Sequence, residues 1–363
     1  MKSTTQYLNS TNLNFSHERA KFFREIFLPD FSNPNKKRDF RAIPRVWNPT
    51  SKHKRLSWTC FHTQTIINLL NRFDTKRECY IQVVDQTLQI PDRLFFDFDY
   101  KTNALEDYEN QILEHGPNPG IVDKIKRELE RTLQKPLRDA KKLQEYFKRE
   151  YNAHTMLFFS GAHGFHLYVF IWPMKFYNFN KTMAKFSNTL KKRLRLTTMD
   201  LAVSKDPLVR LARAPYSMNM KTRLYAVHVD DGDTTEDIIR RSEAPTVRKF
   251  TPIKKFSIDL SEDLKEIDDK IEKQRKARIV KTRIVKKVTN LRMQETEDIR
   301  GPIKEILGEP ARETKKYLQY NCIFHDDKNP SLTIYPTYWK CYGCGAHGST
   351  LKSFIEKAKA VKP

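Results

Sequence analysis

The feature that most constrains the fold is an apolar run, Arg93–Tyr100, that ends in two aspartates separated by one residue. In a strand, side chains alternate between faces, so Asp97 and Asp99 would share one face while Phe96 and Phe98 point into a core. Paired carboxylates repel each other unless a cation lies between them, and such oxygen donors suit Mg²⁺ or Mn²⁺ better than zinc. The run therefore predicts a strand that delivers half of a divalent metal site, although a solvated strand end explains the pair alone equally well.

The charge balance indicates a polyanionic partner. Among 363 residues, 67 Lys and Arg exceed 44 Asp and Glu, which gives a net charge of +23. Such a field recruits nucleic acid. A membrane surface is the weaker interpretation because no apolar run approaches the length of a spanning helix, and the first fifteen residues lack the apolar core of a signal peptide. The expected compartment is the cytoplasm, and five cysteines, three of them near the C-terminus, suit a reducing compartment.

Hydrophobic periodicity predicts a mixed helical and strand region up to about residue 230. Helices are expected at Phe61–Phe73 and Lys181–Arg193, and a charged stretch, Ile121–Tyr151, is expected to form two helices broken near Pro136. A strand over Tyr225–Val229 is expected to close the region.

A second polar cluster lies in Phe158–Leu167, where two apolar runs flank the Gly-Ala-His-Gly turn at residues 161–164. This is a hairpin signature. The glycines would let backbone N–H groups approach phosphate oxygens, and the side chains of Ser160 and His166 would lie beside these groups. The turn is therefore suited to hold a triphosphate. His163 lies at the tip of the turn, where exposure to solvent is the favoured interpretation.

A third acidic ligand is expected because two-metal sites use more than one pair of carboxylates. The candidate segment is Met199–Thr222. Its spacing does not separate Asp200 from Asp206, and Asp206, which precedes a proline, is also a good helix cap. The segment supplies cations for phosphate at Arg210, Arg213 and Lys221.

Four residues near the C-terminus have the spacing of a zinc site. Cys322 and His325 form one pair, fifteen residues intervene, and Cys341 and Cys344 form the other. Such ligands specify a closed tetrahedral zinc site with a structural role, contributing on the order of 10 kcal/mol to folding. His347 is not expected to be a ligand.

Two further features are suited to single-stranded nucleic acid. Residues 271–292 contain nine basic residues and one acidic residue with apolar residues at helical spacing, which predicts a basic helix; a solvated linker is the alternative.

Aromatic residues of the zinc segment are available for base stacking. For these the alternative is a hairpin core, which is favoured for Tyr335 more than for Trp339. The aromatic residues are Tyr335, Tyr338, Trp339 and Tyr342.

Taken together, Asp97-x-Asp99, Ser160-Gly-x-x-Gly-x-His166 and Asp200 with the stretch that follows it resemble the three motifs of the archaeo-eukaryotic primase superfamily, especially its small catalytic subunit. The resemblance covers roughly Phe15–Asp230. It implies that the three aspartates bind catalytic metals. It implies nucleotide-binding roles for Ser160, Gly161, His163, His166, Arg213 and Asn219.

This chain differs from the family pattern at two positions and resembles it at one more segment. The family often has a histidine where this chain has Asn219, although an amide is still able to donate a hydrogen bond. A basic residue often occupies the loop position held by Ala162 or His163, so His163 is a candidate substitute. Residues 38–40, Arg-Asp-Phe, resemble an Arg-Glu-Phe segment common near the N-terminus of the family.

The C-terminal cysteine and histidine segment is similar to the zinc-binding domain of bacterial primases, which reads single-stranded template. The two resemblances imply an α+β chain: a two-layer primase-type catalytic core with an RRM-like sheet and flanking helices, a basic helical linker and a small zinc ribbon. The expected boundaries are 1–235, 236–300 and 301–363.

The expected activity is two-metal, template-directed synthesis of primers on single-stranded DNA from NTPs or dNTPs, with Mg²⁺ or Mn²⁺ as catalytic ions and Zn²⁺ as a structural ion. A primer-extending repair polymerase and a non-catalytic single-strand or origin-binding factor are the alternatives. No Gly-x-x-x-x-Gly-Lys-Ser/Thr motif occurs, so unwinding would need a replicative helicase as partner, and a second primase subunit is a further possible partner.

Overall fold

The computed structural model describes residues 15–28, 38–43, 56–60, 62–73, 77–83, 90–116, 118–205, 211–247, 256–290 and 298–360. Contacts divide the chain into two compact units, Met1–Asp269 and Lys270–Pro363. Within the described ranges, no helix combines the length and the apolar character needed to cross a bilayer. Asp206 and Arg210, which the sequence offers as a metal ligand or cap and as a phosphate contact, lie outside the described residues.

The first unit mixes helices and strands, as the sequence predicts. Its N-terminal helical segment, α1, comprises residues 15–22 and the π-helical turn Phe23–Phe27. The strands are β1 (Arg38–Ile43), β2 (Leu56–Cys60), β3 (Glu78–Gln82), β4 (Arg93–Asp99), β5 (Thr155–Phe159), β6 (Gly164–Phe170) and β7 (Leu211–Arg213). The further helices are α2 (Thr63–Phe73), α3 (Asn103–His115), α4 (Pro119–Thr132), α5 (Gln134–Tyr151), α6 (Phe179–Leu194), α7 (Leu201–Lys205) and α8 (Thr235–Glu243).

Local sequence signals set several of these limits. The Asn118 side chain accepts a hydrogen bond from the Ile121 N–H at the start of α4, and proline follows the cap. The predicted break in Ile121–Tyr151 falls at Leu133, so Pro136 lies in the first turn of α5, where its missing N–H is tolerated. The predicted strand over Tyr225–Val229 is wrong, since among these residues only isolated bridges form, at Tyr225 and His228.

Two antiparallel sheets organise the described part of the first unit. One has the strand order β4-β6-β5, and the other has the order β2-β1-β3-β7. The first contains the predicted hairpin, in which β5 pairs with β6. In the central strand β6, both neighbours are antiparallel and every residue is buried.

The two faces of the β4-β6-β5 sheet pack in different cores. One face, which includes Phe96 and Phe98, packs in a core with helices α3 to α6. The other face, which includes Phe95 and Tyr168, packs in a core with α1, α2, β3 and β7. Because side chains alternate along a strand, Asp97 and Asp99 lie on the second face, where the apolar surface of that core ends. This alternation is the one that the sequence predicts.

The second unit has its own core around a small antiparallel sheet. Its elements are α10 (Arg300–Leu307), β8 (Arg312–Glu313), β9 (Leu318–Tyr320), β10 (Leu332–Ile334), β11 (Trp339–Cys341), β12 (His347–Gly348) and α11 (Leu351–Ala360). The described sheet has the order β12-β11-β10-β9-β8. Its core includes Trp339, Phe354 and Ile303, so the unit does not depend on a metal alone for burial.

The expected domain boundaries at residues 235 and 300 stay predictions. Helix α8 contributes Ile238 and Ile239 to the core of the first unit, and the long helix α9 (Ile258–Asn290) contributes Leu260 and Leu264. The basic stretch 271–292 begins beyond that buried part of α9. The helix predicted there is present through Asn290.

Candidate active site and zinc module

The acidic pair occupies the end of β4. Phe96 and Phe98 are almost fully buried, whereas Asp97 is partly exposed and Asp99 is exposed. Along β4 the two aspartates therefore face the side of the sheet that opens to solvent at this edge. This arrangement gives two carboxylates on one surface, as the alternation of the run predicts.

Backbone pairing brings Asp200 to the same edge. Met199 forms an antiparallel bridge with Phe98, and the Asp99 N–H donates to the Thr198 carbonyl at 3.0 Å. The Asp200 N–H donates to the Asp97 carbonyl at 2.8 Å. One carboxylate oxygen of Asp200 also accepts the Ala202 N–H at 2.8 Å and so caps α7.

Electrostatics at this edge fit a divalent cation site. Although the Asp99 side chain is partly open to solvent, desolvation by the surrounding protein raises the pKa of its carboxyl group; His163 opposes this effect, and Asp200 adds to it. Like charges crowded in this way favour the bound state of a hard cation, and carboxylate oxygens are the donors that Mg²⁺ and Mn²⁺ prefer. The carboxylates of Asp97, Asp99 and Asp200 are thus of the donor type that such an ion takes, although among the described residues only the zinc-segment cluster has three or more ligand atoms within 4.8 Å of one another.

The segment that carries Asp200 is anchored by a buried carboxylate on α5. One oxygen of Asp139 accepts hydrogen bonds from the backbone N–H and the hydroxyl of both Thr197 and Thr198, at 2.7 to 3.0 Å. Burial opposes ionisation of Asp139, but these hydrogen bonds outweigh it and lower the pKa. Asp139 thus fixes the strand-like segment that pairs with the end of β4.

The turn between β5 and β6 requires both of its glycines. Gly161 has a φ of 81°, and a Cβ there would lie 2.8 Å from the Leu224 carbonyl oxygen. A Cβ at Gly164 would overlap the carbonyl oxygen of Phe98 on the neighbouring strand. The Ser160 N–H donates to the Gly164 carbonyl at 2.9 Å and closes the turn, which leaves Ser160 at the edge of the acidic cluster.

His166 lies opposite Asp97 in the register of β4 and β6. Its Nε2 atom is 3.7 Å from Asp97 Oδ1. Burial and the nearby Arg213 guanidinium lower the pKa of His166 to about 3. The imidazole is therefore neutral at physiological pH and offers one N–H donor.

His163 does not extend into solvent, so the sequence-based preference for an exposed tip is wrong. Its Nε2 atom lies 2.6 Å from an oxygen of Glu109 on α3, and its side chain is 20% exposed. The carboxylate of Glu109 is 2% exposed and also contacts Lys221 at 2.8 Å and Lys101 at 3.2 Å. Burial opposes ionisation, but the bonds with His163 and Lys221 outweigh it and lower the pKa of Glu109 to about 2.

Arg213 on β7 lines the same cavity as the acidic pair. It is 6% exposed, donates to the Tyr80 hydroxyl at 3.1 Å and lies 3.4 Å from the fully buried Glu78. Asn219 forms a turn in which its side-chain oxygen accepts the backbone N–H groups of Lys221 and Thr222.

These residues enclose a single polar cavity of about 250 Å³. It is lined by acidic, hydroxyl and cationic groups from residues that lie far apart in the sequence. They include Asp97, Asp99, Ser160, His166, Arg213 and Lys221. His163, Asn219 and Glu109 also line it, whereas Asp200 lies outside this lining and is joined to it through β4.

Sequence reasoning missed the buried acids of the site. Glu78, Glu109 and Asp139 lie in ordinary charged stretches, and each acts through contacts with residues far along the chain. The sequence carries one weak signal: Glu78 and Tyr80 alternate in a short apolar strand, which places both on one face.

The predicted zinc ligands converge in the second unit. Ligand atoms of Cys322, His325, Cys341 and Cys344 all lie within 4.8 Å of one another. Backbone N–H groups point at the sulfurs, with Phe324 donating to Cys322 and Cys344 donating to Cys341. Two pairs of soft and borderline ligands in this arrangement fit tetrahedral Zn²⁺.

Asp327 supports the ligand cluster from outside. Its carboxylate accepts the Cys322 N–H at 2.7 Å and the Ser331 hydroxyl at 2.6 Å. The His325 Nδ1 atom faces Cys341, while its Nε2 atom lies 3.7 Å from Asp327. An acidic neighbour on the far nitrogen of a histidine is typical of the surroundings of zinc ligands.

The sequence favours a core position for Tyr335 more than for Trp339, but the structure shows the reverse. Trp339 is fully buried and belongs to the core. Tyr335 stacks on Tyr338 with ring centroids 4.3 Å apart, and its hydroxyl lies 3.4 Å from that of Tyr342. Tyr338 is 42% exposed and Tyr342 is 61% exposed. Lys340 lies over the Tyr342 ring, so the exposed tyrosines form a surface with a cation beside it.

Comparison with known proteins identifies the C-terminal region. Residues 285–362 match the CHC2 zinc finger family. This part of the chain is similar to zinc fingers of that type. Over 59 residues the chain is 37% identical to the DNA primase of Chlamydia trachomatis serovar D, which covers 15% of this chain and 10% of that protein. The chain thus matches about a tenth of the length of that relative.

Similarity to solved structures covers most of the chain but is weak. The AEP domain of the cyanophage S-2L primase-polymerase aligns with 63% of this chain and 99% of its own, at 14% identity and a TM-score of 0.33. The catalytic domain of primase RepB′ in complex with initiator DNA aligns with 72% of this chain and 98% of its own, at 7% identity and a TM-score of 0.37. At these TM-scores, neither similarity establishes the fold family of the first unit.

Proposed function

We propose that this chain is a DNA primase or primase-polymerase that synthesises short primers on single-stranded DNA. The observation that carries the proposal is the convergence of Asp97 and Asp99 with the turn from Ser160 to His166 around one cavity, with Asp200 hydrogen-bonded through its backbone to Asp97 beside it. The match of residues 285–362 to the CHC2 zinc finger family and the similarity of 59 residues to a DNA primase support it. The expected boundaries of a catalytic domain, linker and zinc module at 235 and 300 are part of this proposal.

The three aspartates would hold divalent metal, Mg²⁺ or Mn²⁺. Bound there, such ions would lower the pKa of the attacking 3′-hydroxyl and neutralise the triphosphate. No protein nucleophile would be needed, since the attacking 3′-hydroxyl belongs to the first nucleotide or to the growing strand; it would lose its proton to solvent, and pyrophosphate would leave. The backbone bond from Asp200 to Asp97 would keep the main chain of the third ligand beside the other two.

The remaining wall of the cavity would bind the triphosphate. Neutral His166 would donate its N–H to a phosphate oxygen, and Ser160 with the N–H groups near Gly161 would add further donors. Arg213, already oriented by Tyr80 and Glu78, presents a guanidinium suited to paired phosphate oxygens. His163, Asn219 and Lys221 line the same cavity and would complete the site.

The template would contact the second unit and the basic helix. The exposed Tyr338 and Tyr342 rings offer faces for base stacking, and Lys340 lies next to them for phosphate contact. The basic stretch of α9 adds charge along the chain between the catalytic region and the zinc finger. Cooperation with a replicative helicase or a second primase subunit belongs to the same proposal.

Primer synthesis without a primer tests this function. The protein is incubated with circular single-stranded DNA, Mg²⁺ or Mn²⁺ and labelled NTPs or dNTPs, beside Asp97→Asn, Asp99→Asn and, as control, Asp107→Asn on the exposed side of α3. We expect product from the wild type and the control but from neither site variant. Product only with a supplied primer would identify a primer-extending polymerase, and DNA binding without product would identify a non-catalytic factor.

A further inference from the structure

Glu109 is a buried acid in a cavity that, under the proposed function, receives a polyanion. Its side chain is 2% exposed and lines the cavity together with Asp97, Asp99 and the phosphate-facing residues. A buried carboxylate there would repel a triphosphate by itself. We therefore looked to the residues that Glu109 contacts for the reason that an acid is present there.

The contacts of Glu109 join three separate segments of the chain. One oxygen lies 2.6 Å from His163 in the turn between β5 and β6. The other lies 2.8 Å from Lys221, in the turn that follows β7, and 3.2 Å from Lys101 at the end of β4. Both cavity-lining side chains, His163 and Lys221, thus meet on one rigid acceptor carried by α3.

We propose that Glu109 is a positioning residue that pre-arranges His163 and Lys221 for the triphosphate. This inference rests on the proposed function, because it assigns the role through the nucleotide site. Held by Glu109, the Lys221 ammonium keeps further donors directed at the cavity. The entropy of ordering a long lysine side chain is then lost on folding and not on binding.

A second cation of the cavity is held in the same way. Arg213 lies 3.4 Å from Glu78, which is fully buried and also accepts the Tyr80 hydroxyl at 2.8 Å. Glu109 lines the cavity and Glu78 does not, but each acid contacts a cation that lines it. This repetition favours positioning of cations over a role in burial alone.

Nucleotide binding without turnover tests the inference. Affinity for a non-hydrolysable nucleoside triphosphate with Mg²⁺ is measured for the wild type, Glu109→Gln and Glu109→Asp. Glu114→Gln, at the exposed end of α3, is the matched control. We expect both Glu109 variants to bind at least about tenfold more weakly, since loss of one partner of a buried charge pair is costly. The control should bind as the wild type does.

Glu109→Asp tests whether the position of the carboxylate matters as well as its negative charge. It keeps the charge but moves the carboxylate away from His163 and Lys221 by the length of one methylene group. Wild-type affinity in Glu109→Asp would overturn the inference. The loss from Glu109→Gln should also be smaller in a Lys221→Met background, where only the positioning of His163 remains to be lost, than in the wild type; independent, multiplied losses would contradict the inference. Absence of nucleotide binding in the wild type would refute the proposed function instead. Thermal unfolding within a few degrees of the wild type shows that each variant is folded.

Discussion

The backbone N–H of Asp200 donates a hydrogen bond to the carbonyl oxygen of Asp97 at 2.8 Å. A main-chain bond of this kind sets the distance between two segments more rigidly than a side-chain contact does. It brings a carboxylate from a distant part of the chain to the end of β4, where Asp97 and Asp99 already share a face. The acidic cluster is thus a consequence of strand pairing.

Asp139 should control the metal site without lining its cavity. The variant Asp139→Asn keeps the shape but weakens the acceptor for Thr197 and Thr198, which position the Asp200 segment. We expect a loss of about 1–3 kcal/mol in the free energy of unfolding, measured in urea, and a several-fold lower affinity for Mn²⁺. Asp123→Asn, on an exposed part of α4, should change neither. Unaltered Mn²⁺ affinity in Asp139→Asn would refute the positioning role.

Gly164 should tolerate no side chain. The added methyl of Gly164→Ala would overlap the Phe98 carbonyl and force β6 away from β4. We expect a loss of about 3 kcal/mol or more in the free energy of unfolding. The control is Gly120→Ala in α4, where the nearest atom to the added Cβ is 3.5 Å away. That variant should be neutral or slightly stabilised. Equal effects in the two variants would contradict the close approach of the two strands.

Asp327 should tune zinc affinity from outside the ligand cluster. Loss of its charge in Asp327→Asn removes support from Cys322, Ser331 and His325, so we expect a 10- to 100-fold lower zinc affinity, on the order of what such outer contacts provide. Competition with a chromophoric chelator measures this directly. Asp326→Asn, on the adjacent exposed residue, should retain wild-type affinity. Identical zinc release from the two variants would show that Asp327 has no such role.

Tyr338 and Tyr342 should contribute to binding of single-stranded DNA. Because each ring offers a face to a base, Tyr338→Ala and Tyr342→Ala should each weaken binding about tenfold at fixed salt, measured by fluorescence anisotropy. Tyr177 is as exposed as Tyr342, at 61%, but lies in the first unit. Its Tyr177→Ala variant should bind as the wild type does. A loss in that control equal to the others would argue against a dedicated stacking surface.

Local patterns in the sequence predicted the parts of the molecule that depend on neighbouring residues. The alternation in Arg93–Tyr100, the glycine-bounded hairpin and the two ligand pairs of the zinc finger each follow from short spacing rules. The structure contains all three as predicted. The roles of the individual site residues stay predictions until they are measured.

Contacts between distant segments account for most of what the sequence did not reveal. Glu109 meets His163 only because α3 packs beside the β5–β6 turn, and no local pattern announces that contact. The reversed assignment of Trp339 and Tyr335 had a local signal that was overlooked. Trp339 shares its strand face with the ligand Cys341, and both are buried while Lys340 between them is exposed.

Mn²⁺ binding is the most direct test of the central claim that Asp97, Asp99 and Asp200 form a divalent metal site. Electron paramagnetic resonance of free Mn²⁺ would be recorded during titration of the zinc-loaded protein, the Asp97→Asn/Asp99→Asn double variant and the Asp107→Asn control. We predict saturable binding in the wild type and the control and its loss in the double variant. Equal binding by the double variant and the wild type would contradict the account.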